Sequence, residues 1–218
     1  MKQVLTFLTK LSRNNNREWF EKNKASYIVA KDDFEEFIGE VLNETLKFEP
    51  GYSHLQPKKL IFRIYRDVRF SKDKRPYKTN MGAGFSPGGK LIQEPGYYLH
   101  IEPGNKSFIA GGLYMPESAV LSKVRQEIDY NGDRLKKIFA QPAFKKNFGG
   151  WDDFDKLKKV PKGYDPEHPL GEWLKLKSFI VTRQLSDKQV SEKGFVKLAA
   201  ATFKGIKPLN DFLKEAIA

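Results

Sequence analysis

A short basic segment carries most of the residues in this chain that could hold a charged ligand. Residues 63–78 contain seven arginines and lysines against two aspartates, with aromatic side chains between them. Guanidinium groups bind phosphate and carboxylate oxygens through paired hydrogen bonds, and ammonium groups add positive charge. The sequence therefore predicts an anion-binding site. Its candidate ligand-binding residues are Arg63, Arg66, Arg69, Ser71, Lys74 and Lys78 from this segment, and Tyr98 from a later one.

The same charges also fit a purely structural network. Asp67 and Asp73 could each pair with a nearby arginine and so hold a long loop together. The arginines close to them in sequence are Arg66, Arg69 and Arg75. Clusters of interacting charges occur at binding sites and in structural ion pairs alike, so the sequence leaves both interpretations open.

A second group of residues could transfer protons. Tyr98, His100 and Glu102 alternate along a predicted strand, and this alternation places all three side chains on one face. A histidine beside a carboxylate can act as a general acid or base near neutral pH. His100 and Glu102 are therefore the candidate catalytic residues. The alternative is an ordinary polar face of an antiparallel sheet, which is a common arrangement.

Several other kinds of chemistry have no support in the sequence. The chain has no cysteine, which excludes disulfides, thiolate metal sites and a cysteine nucleophile. With only three histidines, a zinc site is not expected. Glycine loops for dinucleotides or phosphates, a nucleophile elbow and EF-hand ligand spacing are also missing from the sequence. We therefore predict no metal site, and the sequence leaves any cofactor unknown.

Length, composition and charge bound the class of protein. The 218 residues fit one domain, and the hydrophobic fraction of 39% is sufficient for a core. The net charge of +12 favours an anionic partner, either a small molecule or nucleic acid, because such a field concentrates counter-charges. There is no run of eighteen apolar residues and no apolar signal segment, so we expect no membrane partner and a cytoplasmic location.

The hydrophobic pattern predicts the elements that must position the candidate residues. We expect N-terminal helices over 1–50, a central sheet region over 58–116 and a mainly helical region over 117–218. Within the last region, Asn131 and Gly205 are predicted to end helices. Helices, then strands, then helices indicate an α+β fold: a single domain with an antiparallel-rich sheet flanked by N-terminal and C-terminal helices.

More local predictions concern the sheet. The pattern before residue 66 fits either a helix or a strand, and its β-branched and aromatic content favours a strand over 58–66. A hairpin is predicted around residues 103–105, and residues 174–181 are predicted to return to the sheet. Gly111 and Gly112 inside the hairpin indicate a bulge or a close backbone approach.

Several runs of residues carry a resemblance to a known family. They are residues 14–15, 17–20, 63–78, 96–103, 111–116, 161–164 and 207–209. On these runs the chain resembles the domain of unknown function family 2461 over nearly its whole length. The resemblance implies a self-standing conserved domain, and it carries no activity, substrate or catalytic residue to this chain.

Three hypotheses about function follow from the sequence. In the first, the chain binds a phosphate-bearing or other anionic small ligand in a basic cleft, and His100 is the acid/base group if a reaction is catalysed. In the second, it is a non-catalytic nucleic-acid-binding protein. In the third, it is a protein-interaction module with a structural arginine network. Enzymatic activity and oligomeric state stay open at this level.

Overall fold

The structure is a computed structural model that describes residues 1–90, 94–152 and 154–218. In this part of the chain the helices are α1 Lys2–Arg13, α2 Arg17–Lys22, α3 Lys24–Thr45, α4 Pro57–Leu60, α5 Ser118–Ala140, α6 Pro142–Phe148, α7 Gly171–Leu174, α8 Asp187–Ser191 and α9 Phe195–Ile217, with a 3-10 turn at Pro50–Tyr52. The strands are β1 Met81–Phe85, β2 Gly96–Ile101, β3 Ser107–Leu113 and β4 Phe179–Leu185. The predicted α+β class with flanking helices is confirmed.

The four strands form one antiparallel sheet in the order β1-β2-β3-β4. One face of this sheet packs on helices, as the buried side chains of Tyr97, Leu99 and Ile101 on β2 show. On this face Phe203 of α9 stacks on Tyr97 with 4.6 Å between the ring centroids. The intervening side chains of β2 point to the opposite face, as strand alternation requires.

The prediction that Gly205 ends a helix is wrong, because α9 runs unbroken through Gly205 and Pro208. Proline lacks the N–H group that a helix interior uses and normally costs about 3 kcal/mol there. The apolar side chains on either side of it are fully buried, and this packing outweighs the local preference. They are Phe203, Ile206, Leu209 and Phe212.

The predicted helix end at Asn131 corresponds to a kink at which two helical segments meet. Asn131 has non-helical backbone angles (φ −123°, ψ 21°), but α5 continues beyond it to Ala140. Ile128 before the kink and Leu135 after it are both fully buried. The helix thus changes direction at Asn131 so that both halves keep an apolar side chain in the core.

Two strand predictions also need correction. The strand predicted over 58–66 is absent from the structure: Pro57–Leu60 is a helical turn, and Ile61 and Tyr65 form only isolated bridges. Proline at the first helical position is pre-organised for a helix start, which explains the turn. The strand predicted over 174–181 is β4, but it begins at Phe179 and reaches Leu185.

Residues 61–80, here called the basic arm, form an irregular antiparallel ribbon beside β1. The amide of Phe62 donates to the carbonyl of Gly82 (2.9 Å), and that of Lys78 donates to Ile64 (2.8 Å). The N-terminal helices anchor the arm, because the side-chain amide of Asn15 makes two hydrogen bonds to the backbone of Tyr77 (2.9 and 3.2 Å). This anchoring fixes the arm along the sheet edge.

The hairpin around residues 103–105 is confirmed and joins β2 to β3. The predicted close backbone approach is confirmed at Gly112, where an added Cβ would collide with the carbonyl oxygen of Phe179. The β3–β4 register runs without interruption, so no bulge occurs there. Among the described residues, no helix combines the length and the apolar character that crossing a bilayer requires.

Candidate functional site

A cleft of about 1200 Å³ lies on the face of the sheet opposite α9. All four strands contribute to its floor through side chains or backbone on this open face. The floor residues include Gly84, Gly96, Tyr98, Gly112, Ile180 and Thr182. Three of these are glycines, and at each of them a neighbouring backbone atom lies close to the place where a Cβ would stand. The glycines therefore allow close backbone approaches along the floor of the cleft.

Two walls of different chemistry flank this floor. The basic wall lies beside β1 and consists of Phe62 and Lys78 from the basic arm, together with Lys90. The aromatic wall lies near the paired ends of β3 and β4 and consists of Tyr114, Trp151 and Phe154. The two walls thus stand at opposite edges of the sheet.

The cations of the basic wall are not neutralised within the described chain. The ammonium nitrogens of Lys78 and Lys90 each lie 5.6 Å from the ring centroid of Phe62. Lys90 donates to the carbonyl of Ile61 (2.5 Å). Among the described residues, no carboxylate lies within ion-pairing distance of Lys78, Lys90 or Arg63. Burial, followed by the charges of Arg63 and Lys90, lowers the pKa of Lys78.

The cleft is also lined by carboxylates that have other hydrogen-bond partners. Glu94 accepts from the backbone amide of Gly88 (3.2 Å), and Asp152 accepts from the hydroxyl of Thr182 (2.5 Å). The cleft is thus polar at several points. Both carboxylates bond neutral donors and keep their negative charge, so an anion is favoured only beside the basic wall, where no described carboxylate lies within ion-pairing distance of Lys78 or Lys90.

A chain of hydrogen bonds runs along β2 at the edge of the cleft. The hydroxyl of Tyr98 lies 3.3 Å from Nδ1 of His100, and Nε2 of His100 lies 3.0 Å from Oε2 of Glu102. Thr79 donates to the other carboxylate oxygen of Glu102 (3.3 Å), and the ring of Phe108 stacks on His100 with 4.5 Å between centroids. The structure thus brings the three predicted residues together.

The donors and acceptors in this series of hydrogen bonds follow from the chemistry of the three side chains. A carboxylate only accepts, so Nε2 of His100 donates to Glu102, and in a neutral imidazole Nδ1 is then the acceptor. Burial lowers the pKa of His100, although Glu102 acts in the opposite direction. Burial and the charge of Glu102 raise the pKa of Tyr98 to about 12, so its hydroxyl stays protonated and donates to His100.

Of these three residues, Tyr98 lines the cleft, whereas His100 and Glu102 are set behind it. The glycine at position 82 makes room for this arrangement, because a Cβ there would come within 2.5 Å of the Tyr98 hydroxyl. A ligand in the cleft would therefore meet His100 through Tyr98.

Most of the predicted arginine site is occupied by ion pairs inside the arm. The carboxylate of Asp67 accepts two guanidinium hydrogen bonds from Arg69 (3.0 and 2.7 Å). Asp73 binds Arg75 in the same way and also lies 2.7 Å from Nη1 of Arg66. Hydrogen bonds from Arg75, and then those from Arg66, hold the pKa of Asp73 below its usual value.

The remaining predicted ligand residues divide between the cleft and the tip of the arm. Arg66 donates to the hydroxyl of Ser71 (3.4 Å), and Lys74 donates to the carbonyl of Val68 (3.1 Å). Arg66, Arg69, Ser71 and Lys74 therefore lie together at the tip, and none of them lines the cleft. Lys78 and Tyr98 line it, and Arg63 acts on it through its charge on Lys78.

Sequence reasoning missed Lys90 and the aromatic wall. The glycine turn before Lys90 was the available signal, since Ser86 and Gly89 pair through two backbone hydrogen bonds (3.0 and 2.9 Å) and return the chain over β1. Trp151 and Phe154 lie in an irregular segment with no periodic pattern, so no comparable signal marked them.

His168, which lies outside the cleft, has partners within the described part of the fold. His168 accepts a hydrogen bond from the amide of Leu170 at Nδ1 (3.0 Å), and its Nε2 lies 3.1 Å from Asp129. Both ring nitrogens thus support the loop before α7. Across residues 1–90, 94–152 and 154–218, no group of three or more histidines and carboxylates is arranged to hold a metal ion.

Comparison with known protein families gives a match that covers most of the chain. A family model described as "Conserved hypothetical protein (DUF2461)" matches residues 3–212. The chain belongs to this family. The resemblance found in the sequence is thereby confirmed, and the DUF2461 match includes every strand of the sheet and both walls of the cleft. No curated protein and no solved structure matches the chain.

The lowered pKa of His100 predicts a pH-dependent stability. The unfolded chain takes up this proton at the ordinary value of 6.5, and the folded protein takes it up only at lower pH. The contribution of neutral His100 is therefore complete above about pH 6.5 and is lost as the pH falls toward the lowered pKa. We expect the free energy of unfolding to fall less between about pH 7.5 and pH 5 in His100→Gln than in wild type.

Denaturant unfolding at several pH values measures this difference. The matched control is His54→Gln, since His54 is an exposed histidine outside the cleft. Identical pH profiles for His100→Gln and wild type would contradict the burial of a neutral imidazole.

Proposed function

We propose that this DUF2461 protein binds a phosphate-bearing or other anionic small molecule in the cleft, and that it does so in the cytoplasm. In this proposal, Lys78 and Lys90 contact the anion, Arg63 adds positive charge, and Tyr98 contributes a hydroxyl. Arg66, Arg69, Ser71 and Lys74 are not part of this binding site. They support it indirectly, by giving the basic arm a fixed conformation.

The observation that carries the proposal is the state of Lys78. Its ammonium group is half-buried, lines the cleft and lies beside two further cations, and its pKa is lowered as a result. Bringing like charges together in a partly desolvated site is unfavourable unless an opposite charge joins them. An anionic ligand provides that charge and is bound more tightly for the same reason.

The proposal gives the Tyr98–His100–Glu102 chain an acid/base role. With His100 neutral, the Tyr98 proton is directed at Nδ1, so the hydroxyl has only its oxygen lone pair left for another partner. When His100 takes up a proton, Nδ1 donates to Tyr98, and the phenolic proton turns toward the ligand. An anion favours the second state, so its binding is coupled to protonation of His100, with Glu102 compensating the new charge.

Replacing Lys78 tests the proposal directly. We expect Lys78→Met to weaken binding of ribose 5-phosphate by about 10- to 100-fold, since a charge-assisted hydrogen bond contributes about 1.5–3 kcal/mol. Isothermal titration calorimetry with wild type and variant measures the effect. Methionine keeps much of the length of the side chain, and it suits the partly apolar contact with Phe62.

The matched control is Lys74→Met, which removes the same charge from the tip of the arm. Equal losses of affinity in the two variants would show that only net charge matters, and the proposed site would be wrong. Absence of binding to ribose 5-phosphate, inorganic phosphate and sulfate in wild type would also remove its basis.

A second candidate function, non-catalytic nucleic-acid binding, is favoured by the tip of the basic arm. Phe70 is 96% exposed there, and the guanidinium carbon of Arg69 lies 5.8 Å from the centre of its ring. An exposed aromatic ring among cations suits the stacking of a nucleic-acid base. Titration with an oligonucleotide distinguishes the two candidates. If the tip of the arm binds nucleic acid, the affinity for the oligonucleotide should depend on Phe70 and on the salt concentration, and not on Lys78.

A further inference from the structure

The aromatic wall is built to present flat apolar surface to the cleft. The rings of Tyr114 and Phe154 lie 6.0 Å apart at an angle of 31°, and these side chains are 62% and 60% exposed. Exposed aromatic surface is unfavourable in water, and rings at a cleft stabilise a ligand by stacking and by removing that surface from solvent.

Trp151 gives this wall a rigid base. Its ring packs against Phe139 and Phe179 with centroid distances of 4.6 and 5.8 Å. The neighbouring amide of Asp152 donates to the carbonyl of Ile180 (2.9 Å), which fastens the segment to β4. A fixed aromatic surface binds a planar group with little loss of conformational entropy.

The distance between the two walls limits the shape of any ligand that contacts both. The basic wall adjoins β1, where the backbone of Lys90 lies close to Gly84, and the aromatic wall adjoins β4. Two gaps between neighbouring strands separate β1 from β3, which leads into Tyr114, and three separate it from β4, so the walls lie about 10–14 Å apart at the level of the backbone. A single phosphate cannot span this distance, and the cleft volume of about 1200 Å³ is also far more than it needs.

The floor of the cleft also offers hydrogen-bonding groups to the middle portion of a ligand. Thr182 and Gln184 of β4 provide them, and because the hydroxyl of Thr182 already donates to Asp152 (2.5 Å), it can only accept from a ligand. A ligand could therefore place hydroxyl groups over the floor while its two ends reach the two walls.

We infer that the ligand is elongated, with a phosphate at the basic wall and a planar aromatic ring at the aromatic wall. This inference rests on the proposed function and adds the substrate class to it. Nucleotides have this chemistry, with a sugar as the middle portion. The same combination of phosphate, sugar and base occurs both in a free mononucleotide and at the phosphorylated end of a nucleic-acid strand.

Calorimetric titrations with matched ligands test whether the ligand carries an aromatic ring. The panel contains the mononucleotides AMP, GMP, CMP and UMP, with ribose 5-phosphate as the ligand that lacks the ring and adenosine as the one that lacks the phosphate. We expect at least one mononucleotide to bind about 10-fold or more tightly than ribose 5-phosphate, since stacking of one base is worth about that factor or more.

Two variants test whether the aromatic wall causes the tighter binding of the mononucleotide. Phe154→Ala should reduce the affinity of the preferred mononucleotide by about 10-fold and leave that of ribose 5-phosphate unchanged. Phe70→Ala is the matched control, because it removes an exposed phenylalanine far along the basic arm. A 5′-phosphorylated dinucleotide that binds more tightly than the mononucleotide would identify a strand end as the source of the chemistry.

The inference and the proposed function fail in different ways. If no mononucleotide binds more tightly than ribose 5-phosphate, the inference that the ligand carries an aromatic ring is wrong, while the proposal of anion binding stands. If adenosine binds as tightly as AMP, the inference that the cleft binds the phosphate of the ligand is wrong. An equal effect of Phe154→Ala on AMP and on ribose 5-phosphate would also overturn the inference, because it would indicate a general disturbance of the cleft.

Discussion

Replacing Gly112 by alanine is expected to destabilise the protein by about 4 kcal/mol, combining backbone strain with overpacking. Gly112 has φ +125°, a backbone conformation that residues with a side chain rarely adopt. An added Cβ would also collide with the carbonyl oxygen of Phe179 on the neighbouring strand. Relieving that collision requires β3 and β4 to separate at the aromatic end of the cleft.

Gly104→Ala separates the two causes of this effect. Gly104 has φ +84° in the β2–β3 turn, and no atom outside its chain neighbours lies within 4 Å of an added Cβ. It therefore carries the strain without the collision, and we expect a loss of about 1–2 kcal/mol. Denaturant unfolding of both variants measures the difference. Equal losses at the two positions would show that the contact with Phe179 is unimportant.

The elements that sequence reasoning predicted well have a strong local signal. Val4, Phe7, Leu8 and Leu11 recur at helical spacing, and all are buried in α1. The side chain of Asn16, directly before α2, accepts from the amide of Trp19 (2.9 Å) and so caps that helix, as is typical of asparagine at this position. Local signals failed where tertiary packing opposed them, as at Pro208 in α9, because burial of the surrounding side chains is worth more than a single helix preference.

The candidate site was predictable only in part, for a similar reason. Strand alternation alone placed Tyr98, His100 and Glu102 on one face, and the register of the sheet preserves this arrangement. The arginines behaved differently, because a guanidinium can reach several partners and the sequence does not rank them. Arg69 and Arg75 each follow an aspartate by two residues, which allows the aspartate to bind both the amide and the guanidinium of the arginine.

This difference in sequence explains why the cations of the basic arm have two different roles. The cations that follow an aspartate at this spacing are neutralised locally at the tip, where they keep the loop compact. Arg63 and Lys78 have no such neighbour and lie where the two strands of the ribbon meet β1. Lys90 joins them from a different turn. A cluster that draws on separate segments can be recognised only after the sheet has brought those segments together.

A buried polar network on the core face supports the strand that carries the site. The hydroxyl of Tyr97 donates to Oε1 of Glu49 (2.7 Å), and Lys214 of α9 lies 3.2 Å from the same oxygen. Glu49 is only 7% exposed. Lys214→Met would leave this carboxylate buried without a cation, so we expect a loss of about 3 kcal/mol of unfolding free energy. Chemical denaturation monitored by tryptophan fluorescence measures it.

A double-mutant cycle with Glu49→Gln identifies the cause of that loss. A neutral amide can still accept from Tyr97 and needs no cation, so Glu49→Gln combined with Lys214→Met should be less destabilised than Lys214→Met alone. Additive losses would instead mean that Lys214 contributes through its packing on Tyr52, whose ring centroid lies 5.7 Å from the ammonium group. Because Tyr97 directly precedes Tyr98 on β2, loosening this network on the core face should also weaken ligand binding in the cleft on the opposite face.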